Sequence, residues 1–275
     1  MLNVVGTSHI THYTLHIHFD MKARTLILRT AGTNCDMETQ VAFEKVGSKV
    51  DLVHINELLS HKKSLGVSPL GVSPLNDYDI LVLPGGFTYG DDISAGKILA
   101  NELKFKLGEE IDEFVKAGKL VLGICNGFQV LVKLGLLPWG KIGEQVVTLT
   151  NNTSGIFQCE WVMLEVPNSR CIFTKGINEL ELPIAHAEGR FVAKPSVIEE
   201  LKQKNQVALR YKGYNPNGSM DNIAGICDST GRLFGLMPHP ERFIFETQHP
   251  MWTRCKMEPL GLLIFKNAIE YARQL

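Results

Sequence analysis

The sequence has no excess of either charge and no long apolar run. Its 275 residues include 28 Lys and Arg against 29 Asp and Glu, which leaves a formal net charge of −1. Such a balance gives no sign of the basic surface that binds nucleic acid, or of a charged tail. No apolar run approaches the roughly 20 residues that a membrane-spanning helix requires. We therefore expect a chain that binds neither nucleic acid nor a membrane.

Recognisable metal and nucleotide motifs are missing as well. The six cysteines are scattered, and none belongs to a Cys-x-x-Cys pair or to a zinc-ligand spacing. We therefore expect reduced thiols, a cytoplasmic location and no metal site. The run from Gly90 to Lys97 is not a phosphate loop, because it has one residue too many between its glycines and Ile98 replaces the required Ser or Thr. Any ATP-dependent step should therefore lie on another chain.

What the sequence contains is an alternation of strand and helix patterns. Apolar runs at residues 25–29, 50–55, 79–83 and 119–124 are separated by segments with helical periodicity. This pattern predicts an α/β fold with a mostly parallel central sheet and helices on both faces. After residue 145, shorter runs separated by turn residues predict a smaller mixed or antiparallel β portion. In parallel sheets, sites form beyond the carboxyl ends of the strands.

Residues 1–20 differ in character from the rest of the chain. They carry four of the nine histidines, and Met21 would itself make a natural start. We interpret residues 1–20 as an extension or an expression artefact, and residues 21–275 as a single domain. Residues 64–75 contain a doubled Gly-Val-Ser-Pro-Leu with two prolines, which we predict to be a loop insertion.

Cys125 is the strongest candidate for a catalytic residue. It lies between Gly123 and Gly127, after an apolar run and before a segment with helical periodicity. Small residues on both sides permit the sharp turn of a nucleophile elbow, and the following helix directs its positive end at the sulfur. A lone cysteine after a strand is more often a small buried hydrophobic residue. Cys35 also follows a predicted strand and opens a helix, so it is the rival nucleophile.

A possible partner for this thiol lies far downstream. His239 and Glu241 follow another predicted strand, two positions apart. Together with Cys125 they would supply a nucleophile, a base and a carboxylate that orients the base. Either residue alone would be an ordinary surface or capping side chain, so the prediction depends on the three occurring together.

Backbone N–H groups near Cys125 are predicted to form an oxyanion hole. Two glycines after the strand at 79–83 allow N–H groups to converge on an anion, and Gly86 would act there together with Asn126. A second polar cluster contains His186 and Glu188. The sequence leaves its role open between a second His/Glu pair, an ion pair and a surface that contacts a partner.

These motifs resemble a known family. Residues 123–129, Gly-Ile-Cys-Asn-Gly-Phe-Gln, resemble the nucleophile motif of the class I (triad) glutamine amidotransferases. The form with phenylalanine is similar to that of the glutaminase subunits of phosphoribosylformylglycinamidine synthases, which act in purine biosynthesis. The resemblance covers residues 24–272, and its further segments are residues 32–36, 83–91, 152–159, 183–190, 215–219 and 235–242.

The resemblance implies a reaction and assigns roles to residues. Cys125 would attack the carboxamide of L-glutamine, His239 would act as general base and acid, and Glu241 would orient His239. Gln129, one helical turn beyond the cysteine, would contact the substrate. The resemblance also implies that ammonia passes to a separate synthetase subunit, in a complex that can include a small accessory subunit. No cofactor is then expected on this chain, whereas ATP and magnesium are expected on the synthetase.

Three other interpretations remain open from the sequence. The chain could be a glutaminase that supplies a different synthetase, or a cysteine hydrolase of the same architecture that acts on another amide. It could also be a scaffold that has the fold without the activity. The presence of Cys125, His239 and Glu241 argues against the scaffold.

Overall fold

The computed structural model describes residues 23–64 and 73–275. The interpretation of residues 1–20, and the part of the predicted insertion at 65–72, lie outside the described residues. Among the helices that are described, none is long and apolar enough to span a membrane. The strands are β1 (Arg24–Arg29), β2 (Lys49–His54), β3 (Ile80–Leu83), β4 (Leu120–Ile124), β5 (Val147–Thr150), β6 (Gln158–Glu165), β7 (Glu179–His186), β8 (Arg190–Ala193), β9 (Val207–Tyr211), β10 (Ile223–Cys227) and β11 (Leu233–Leu236). The helices are α1 (Asp36–Lys45), α2 (Ile55–Ser64), α3 (Lys97–Lys106), α4 (Gly108–Lys116), α5 (Asn126–Lys133), α6 (Pro195–Gln203) and α7 (Leu262–Ala272).

Nine of these strands form one sheet in the order β2-β1-β3-β4-β11-β10-β9-β6-β7. The first five strands are parallel, and the last four continue the same sheet with antiparallel pairing. Strands β5 and β8 form a separate antiparallel pair. The α/β prediction is therefore confirmed, and the antiparallel portion proves to be mainly an extension of the central sheet.

The burial of each strand follows its place in the sheet. Every residue of β3 and β4 is buried, because these strands lie inside the parallel half. Strand β7, at the far edge of the sheet, instead alternates buried side chains with more exposed ones. A continuous apolar pattern in the sequence thus marks a strand that is buried on both faces, and an alternating pattern marks a strand that is buried on one face.

Helices cover both faces of the parallel half. Gly123 of β4 and Gly235 of β11 are paired in register, and both face α5. Phe234 precedes Gly235 and therefore faces the opposite side, where its ring lies 5.5 Å from that of Phe173. Asn267 of α7 donates a hydrogen bond to the backbone oxygen of Phe173, so α7 lies on this second face together with α1, which it contacts.

The strand order determines which loops meet. Strands β3, β4 and β11 are adjacent and parallel, so their carboxyl ends lie at the same edge of the sheet. The backbone N–H of Cys125 donates a hydrogen bond to the oxygen of Leu236 at 2.7 Å. The ends of β4 and β11, which are more than 100 positions apart in the sequence, are thereby brought together at this edge of the sheet.

Candidate active site

Cys125 lies at a strained turn between β4 and α5. Its φ of 50° and ψ of −103° belong to a conformation that non-glycine residues rarely adopt. The turn is possible because its neighbours are small. A Cβ atom added to Gly127 would lie 1.8 Å from the backbone oxygen of Leu83, and one added to Gly123 would lie 2.6 Å from Cδ1 of Leu131.

His239 and Glu241 form a buried pair at the end of β11. Nδ1 of His239 and Oε1 of Glu241 are 2.6 Å apart, and both side chains are almost completely buried. The backbone N–H of His239 donates a hydrogen bond to the oxygen of Pro183 in β7, so the antiparallel half of the sheet helps to position it. In the described part of the chain, Nε2 of His239 has no hydrogen-bond partner. This nitrogen is therefore available to exchange a proton with a nucleophile.

The charge of His239 is determined by its neighbours. Burial alone would lower its pKa, but the negative charge of Glu241 opposes this effect. Cys125 and Cys35 lie near the imidazole and act on its pKa in the same direction as Glu241. The result is a pKa well above the ordinary value of 6.5, so the protonated imidazolium is favoured.

The predicted oxyanion loop lies beside Cys125. Gly86 lines the same pocket as Cys125, and Asn126 is the first residue of α5, whose N–H has no partner within its own helix. Gly86 has a φ of +147°, and an added Cβ would lie 2.7 Å from the oxygen of Gly32. Its conformation and its surroundings therefore require glycine.

Gln129 lies in the pocket, as predicted for a residue that contacts the substrate. Its side-chain Nε2 donates a hydrogen bond to the backbone oxygen of Glu188 at 2.6 Å, and its Oε1 accepts one from Asn126 at 3.0 Å. The amide is thus fixed in orientation by its protein contacts. Its role in substrate binding stays a prediction. The pocket is lined by Gly86, Phe87, Asp91, Ala95, Cys125, Gln129, Ala185, His186, Ala187 and Glu188.

The side chain of Asn126 connects α5 to the loop that follows β3. Its Oδ1 accepts hydrogen bonds from the hydroxyl of Thr88 at 2.7 Å and from the backbone N–H of Thr88 at 3.3 Å. Its Nδ2 donates to Asp91 at 3.1 Å. Neither Thr88 nor Asp91 was predicted from the sequence to belong to the site. The only signal was that residues 83–91 belong to the segments of the family resemblance.

Glu188, the alternative partner for the histidine, makes other contacts. Its Oε2 accepts a hydrogen bond from the backbone N–H of Ala95 at 3.3 Å and lies 3.9 Å from Nζ of Lys133. Burial lowers the pKa of Lys133, and the charge of Glu188 opposes that shift. Glu188 therefore belongs to the wall of the pocket, and Glu241 is the carboxylate in contact with His239.

His186 is buried behind this wall. Its Nδ1 lies 3.1 Å from Oδ1 of Asn152, and its Nε2 lies 3.5 Å from Nδ2 of Asn217. Burial and the nearby charge of His239 lower the pKa of His186 to about 4. A neutral histidine between two amides supports the turn at residues 186–189.

Cys35, the rival nucleophile, lies next to the same histidine. Its φ of −101° and ψ of 14° are ordinary, so it does not occupy a nucleophile elbow. Its Sγ, a ring nitrogen of His239 and a carboxylate oxygen of Glu241 lie within 4.8 Å of one another, a spacing that would also suit a metal ion. However, Nη2 of Arg242 lies 3.1 Å from Sγ of Cys35 and brings a positive charge that opposes a cation there.

Comparison with known proteins shows which family this chain belongs to. Residues 22–272 match the family described as the CobB/CobQ-like glutamine amidotransferase domain. The chain is 49% identical over 263 residues to the phosphoribosylformylglycinamidine synthase subunit PurQ of Dehalococcoides mccartyi, covering 92% of this chain and 99% of that protein. It is 42% identical to the subunit PurQ of Methanococcus maripaludis strain S2, covering 90% of this chain and 97% of that protein.

A solved structure supports the same relationship. A chain in the structure of PurLQS from Thermotoga maritima is 32% identical, with a TM-score of 0.70, and the match covers 91% of this chain and 99% of that one. These matches extend over nearly the full length of each relative. The chain belongs to the class I glutamine amidotransferases, in the family of PurQ glutaminase subunits of phosphoribosylformylglycinamidine synthase.

Proposed function

We propose that this chain hydrolyses glutamine through Cys125, His239 and Glu241 and delivers the ammonia to a synthetase in purine biosynthesis. The observation that carries the proposal is the buried 2.6 Å contact between His239 and Glu241 beside a cysteine at a strained turn. This arrangement supplies a nucleophile, a proton carrier and an orienting carboxylate at one sheet edge.

The proposed reaction assigns one step to each of these groups. The Cys125 thiolate attacks the carboxamide carbon of glutamine, and the negative charge on the oxygen is stabilised by backbone N–H groups at Gly86 and Asn126. The imidazolium of His239 donates its proton to the nitrogen, and ammonia leaves. His239 then accepts a proton from water, which attacks the thioester. Glutamate is released and the Cys125 sulfur regains its original state.

A synthetase subunit is the proposed partner, and it would cover the mouth of the pocket. Phe87, in the pocket wall, is 47% exposed, and Ile93 of the same loop is 73% exposed. Ile156 and Phe157 are also exposed, in a loop whose Asn152 bonds to the wall at Ala187. Exposed apolar side chains on two loops that contact the pocket wall are suited to burial by a second protein. ATP and magnesium would be bound by that synthetase, and the complex would be cytoplasmic.

The test compares Cys125→Ala with Cys159→Ala in the complex with the synthetase subunit. Cys159 is an exposed thiol, so its variant controls for the loss of a cysteine. We expect Cys125→Ala to lower glutamine-dependent product formation by at least about 1,000-fold. Synthesis from added ammonium should stay unchanged, because only the supply of ammonia is lost. Glutamine hydrolysis that persists in Cys125→Ala would contradict the proposal.

The remaining alternatives predict different results in the same assay. A glutaminase for another synthetase would hydrolyse glutamine, yet it would not support synthesis by this partner. A cysteine hydrolase of another amide would show no glutamine turnover with or without the partner. A scaffold would show no effect of Cys125→Ala.

A further inference from the structure

The proposed reaction leaves one buried thiol beside the base without a role. Cys35 is 1% exposed and lies at the start of α1, far in sequence from His239. A Cβ atom added to Gly85 would be 3.0 Å from Sγ of Cys35 and 2.9 Å from Cε1 of His239. The thiol and the imidazole therefore both lie beside the backbone of Gly85, with Sγ of Cys35 within 4.8 Å of a ring nitrogen of His239.

The Cys35 thiol is held in a defined orientation. Its Sγ donates to Oδ1 of Asn34 at 3.1 Å and accepts a hydrogen bond from Nη2 of Arg242 at 3.1 Å. Nε of Arg242 is itself 3.6 Å from a carboxylate oxygen of Glu38 in α1. Burial raises the pKa of Cys35, while contacts with His239 and Arg242 oppose that shift. A thiol that keeps its proton is a poor nucleophile. Because two hydrogen bonds hold the Cys35 thiol in place, it can limit the movement of the imidazole beside it.

The backbone beside Cys35 also holds the oxyanion loop. The N–H groups of Asn34 and Cys35 donate to the oxygen of Gly85 at 3.4 and 3.2 Å. Thr33 forms a bridge with Gly86, whose N–H is proposed to stabilise the oxyanion. The loop before α1 thus contacts the base through a side chain and the oxyanion donors through its backbone.

We propose that Cys35 is a positioning residue, which holds the His239 imidazole in place relative to Gly86 and Cys125. This inference rests on the proposed function, because it assigns to Cys35 a role in the alignment of that reaction. Proton transfer requires close and directed contact, and a displacement of about 1 Å from the productive geometry can cost about 100-fold in rate. Removal of the thiol would leave a space beside the imidazole, into which the ring can move.

The test compares Cys35→Ala, Cys35→Ser and Cys171→Ala in the complex with the synthetase. Cys171 is equally buried but belongs to the segment that leads to Phe173, so its variant controls for loss of a core thiol. We expect Cys35→Ala to lower kcat for glutamine by about 10- to 100-fold with little change in KM. Cys35→Ser keeps a hydrogen-bonding group and should recover most of this loss. Cys171→Ala should keep the kinetics of the unmodified chain.

The pH profile gives a second measurement that a general loss of stability would not change. Contact with Cys35 helps to raise the pKa of His239, so Cys35→Ala should move the alkaline limb of kcat/KM to lower pH. Co-elution of each variant with the synthetase in size-exclusion chromatography tests whether the fold and docking are intact. Ammonium-dependent synthesis, which needs only the synthetase, should be unchanged in each variant. The titratable and charged groups around His239 are Glu241, Cys125, Cys35 and His186, with Arg242 and Glu38 beyond Cys35.

Two outcomes would overturn the inference. In the first, Cys35→Ala matches the unmodified chain in kcat and in pH profile. In the second, Cys35→Ala abolishes turnover and a glutamine-like chloroketone labels Cys35 in the unmodified protein, which would make Cys35 the nucleophile. The proposed function is judged separately, by the turnover of Cys125→Ala.

Discussion

At the scale of single residues, the site depends on a histidine whose charge is set by its surroundings. His239 is buried, and burial disfavours a positive charge. Glu241 reverses this effect from 2.6 Å, because its negative charge acts in an environment with little screening by water. In the proposed reaction, this pair would hold the proton that the leaving ammonia receives, and Glu241 would fix the orientation of the ring.

Replacement of Glu241 by glutamine should affect both the rate and its pH dependence. Glu241 is the main cause that raises the pKa of His239, so in Glu241→Gln the imidazolium should lose its proton at lower pH. Activity that needs this proton falls as pH rises through the pKa, so the alkaline limb of kcat/KM should move to lower pH. We expect a loss in kcat of about 100- to 10,000-fold. His239→Ala should lose more, because the proton carrier itself is gone.

Kinetics of the complex from pH 5 to 10 test this prediction. Co-elution with the synthetase serves as the control for folding and docking, and ammonium-dependent synthesis shows that the synthetase itself is active. If Glu241→Gln had the kcat and the pH profile of the unmodified chain, the carboxylate of the triad would have to be sought elsewhere.

At the scale of elements, the site depends on the close approach of α5 to β3. The helix begins directly after Cys125, the proposed nucleophile, and Gly127 in its first turn touches the backbone at the end of β3. This contact brings the N-terminus of α5 and the oxyanion loop after β3 to the two sides of one pocket. The side chain of Asn126 then joins them through Thr88.

Gly127→Ala should therefore disrupt both stability and activity. Alanine favours helix formation, but its Cβ would lie 1.8 Å from the oxygen of Leu83, so α5 and β3 would have to separate. We expect a loss of at least about 3 kcal/mol in the free energy of unfolding, together with loss of glutamine hydrolysis. Gly143→Ala is the matched control, because the nearest atom to its added Cβ is 3.7 Å away. Urea unfolding of both variants measures the effect, and equal stabilities would refute the packing argument.

At the scale of the whole molecule, the two halves of the sheet complete the site together. The parallel half carries Cys125 and His239, whereas β7 of the antiparallel half contributes Pro183, Ala185 and the turn that His186 supports. His186 is neutral in the folded state because burial lowers its pKa to about 4. In the unfolded chain the same residue has its ordinary value of 6.5.

This difference predicts that stability falls in mild acid. Between pH 6.5 and 4 the unfolded chain binds a proton at His186 that the folded chain does not, so the free energy of unfolding decreases as pH is lowered. The full effect is roughly 3 kcal/mol. The pKa of His239 is raised in the folded state, so its protonated form stabilises the fold and this stabilisation is lost as pH rises above 6.5. The effects of His186 and His239 on stability therefore occur in different pH ranges.

His186→Gln isolates the first effect, because an amide keeps a hydrogen-bonding group and does not titrate. Urea unfolding at pH 7 and pH 4.5 should show a smaller loss of stability in His186→Gln than in the unmodified chain. An equal loss in both proteins would mean that other groups account for the sensitivity to acid.

Local patterns in the sequence were sufficient to predict the elements and several candidate residues. Apolar runs between helical segments predicted the α/β sheet, because burial on both faces requires apolar residues at every position of a strand. Gly123 and Gly127 around Cys125 predicted an elbow, and the spacing of His239 and Glu241 predicted a pair within reach of each other. Each of these inferences depends on residues that are close together in the chain.

Only the tertiary structure determined which residues from distant parts of the chain meet, because this depends on the order of the strands in the sheet. Only the placement of β11 beside β4 brings His239 to Cys125, and only the meeting of the loops after β1 and β3 brings Cys35 to the same ring. The tertiary structure also decided which carboxylate pairs with His239. Glu241 lies 2.6 Å from its Nδ1, whereas Glu188 lies near Lys133. Sequence periodicity records which face of each element is buried, but it carries no information about which elements become neighbours. That choice is made by packing across the whole chain.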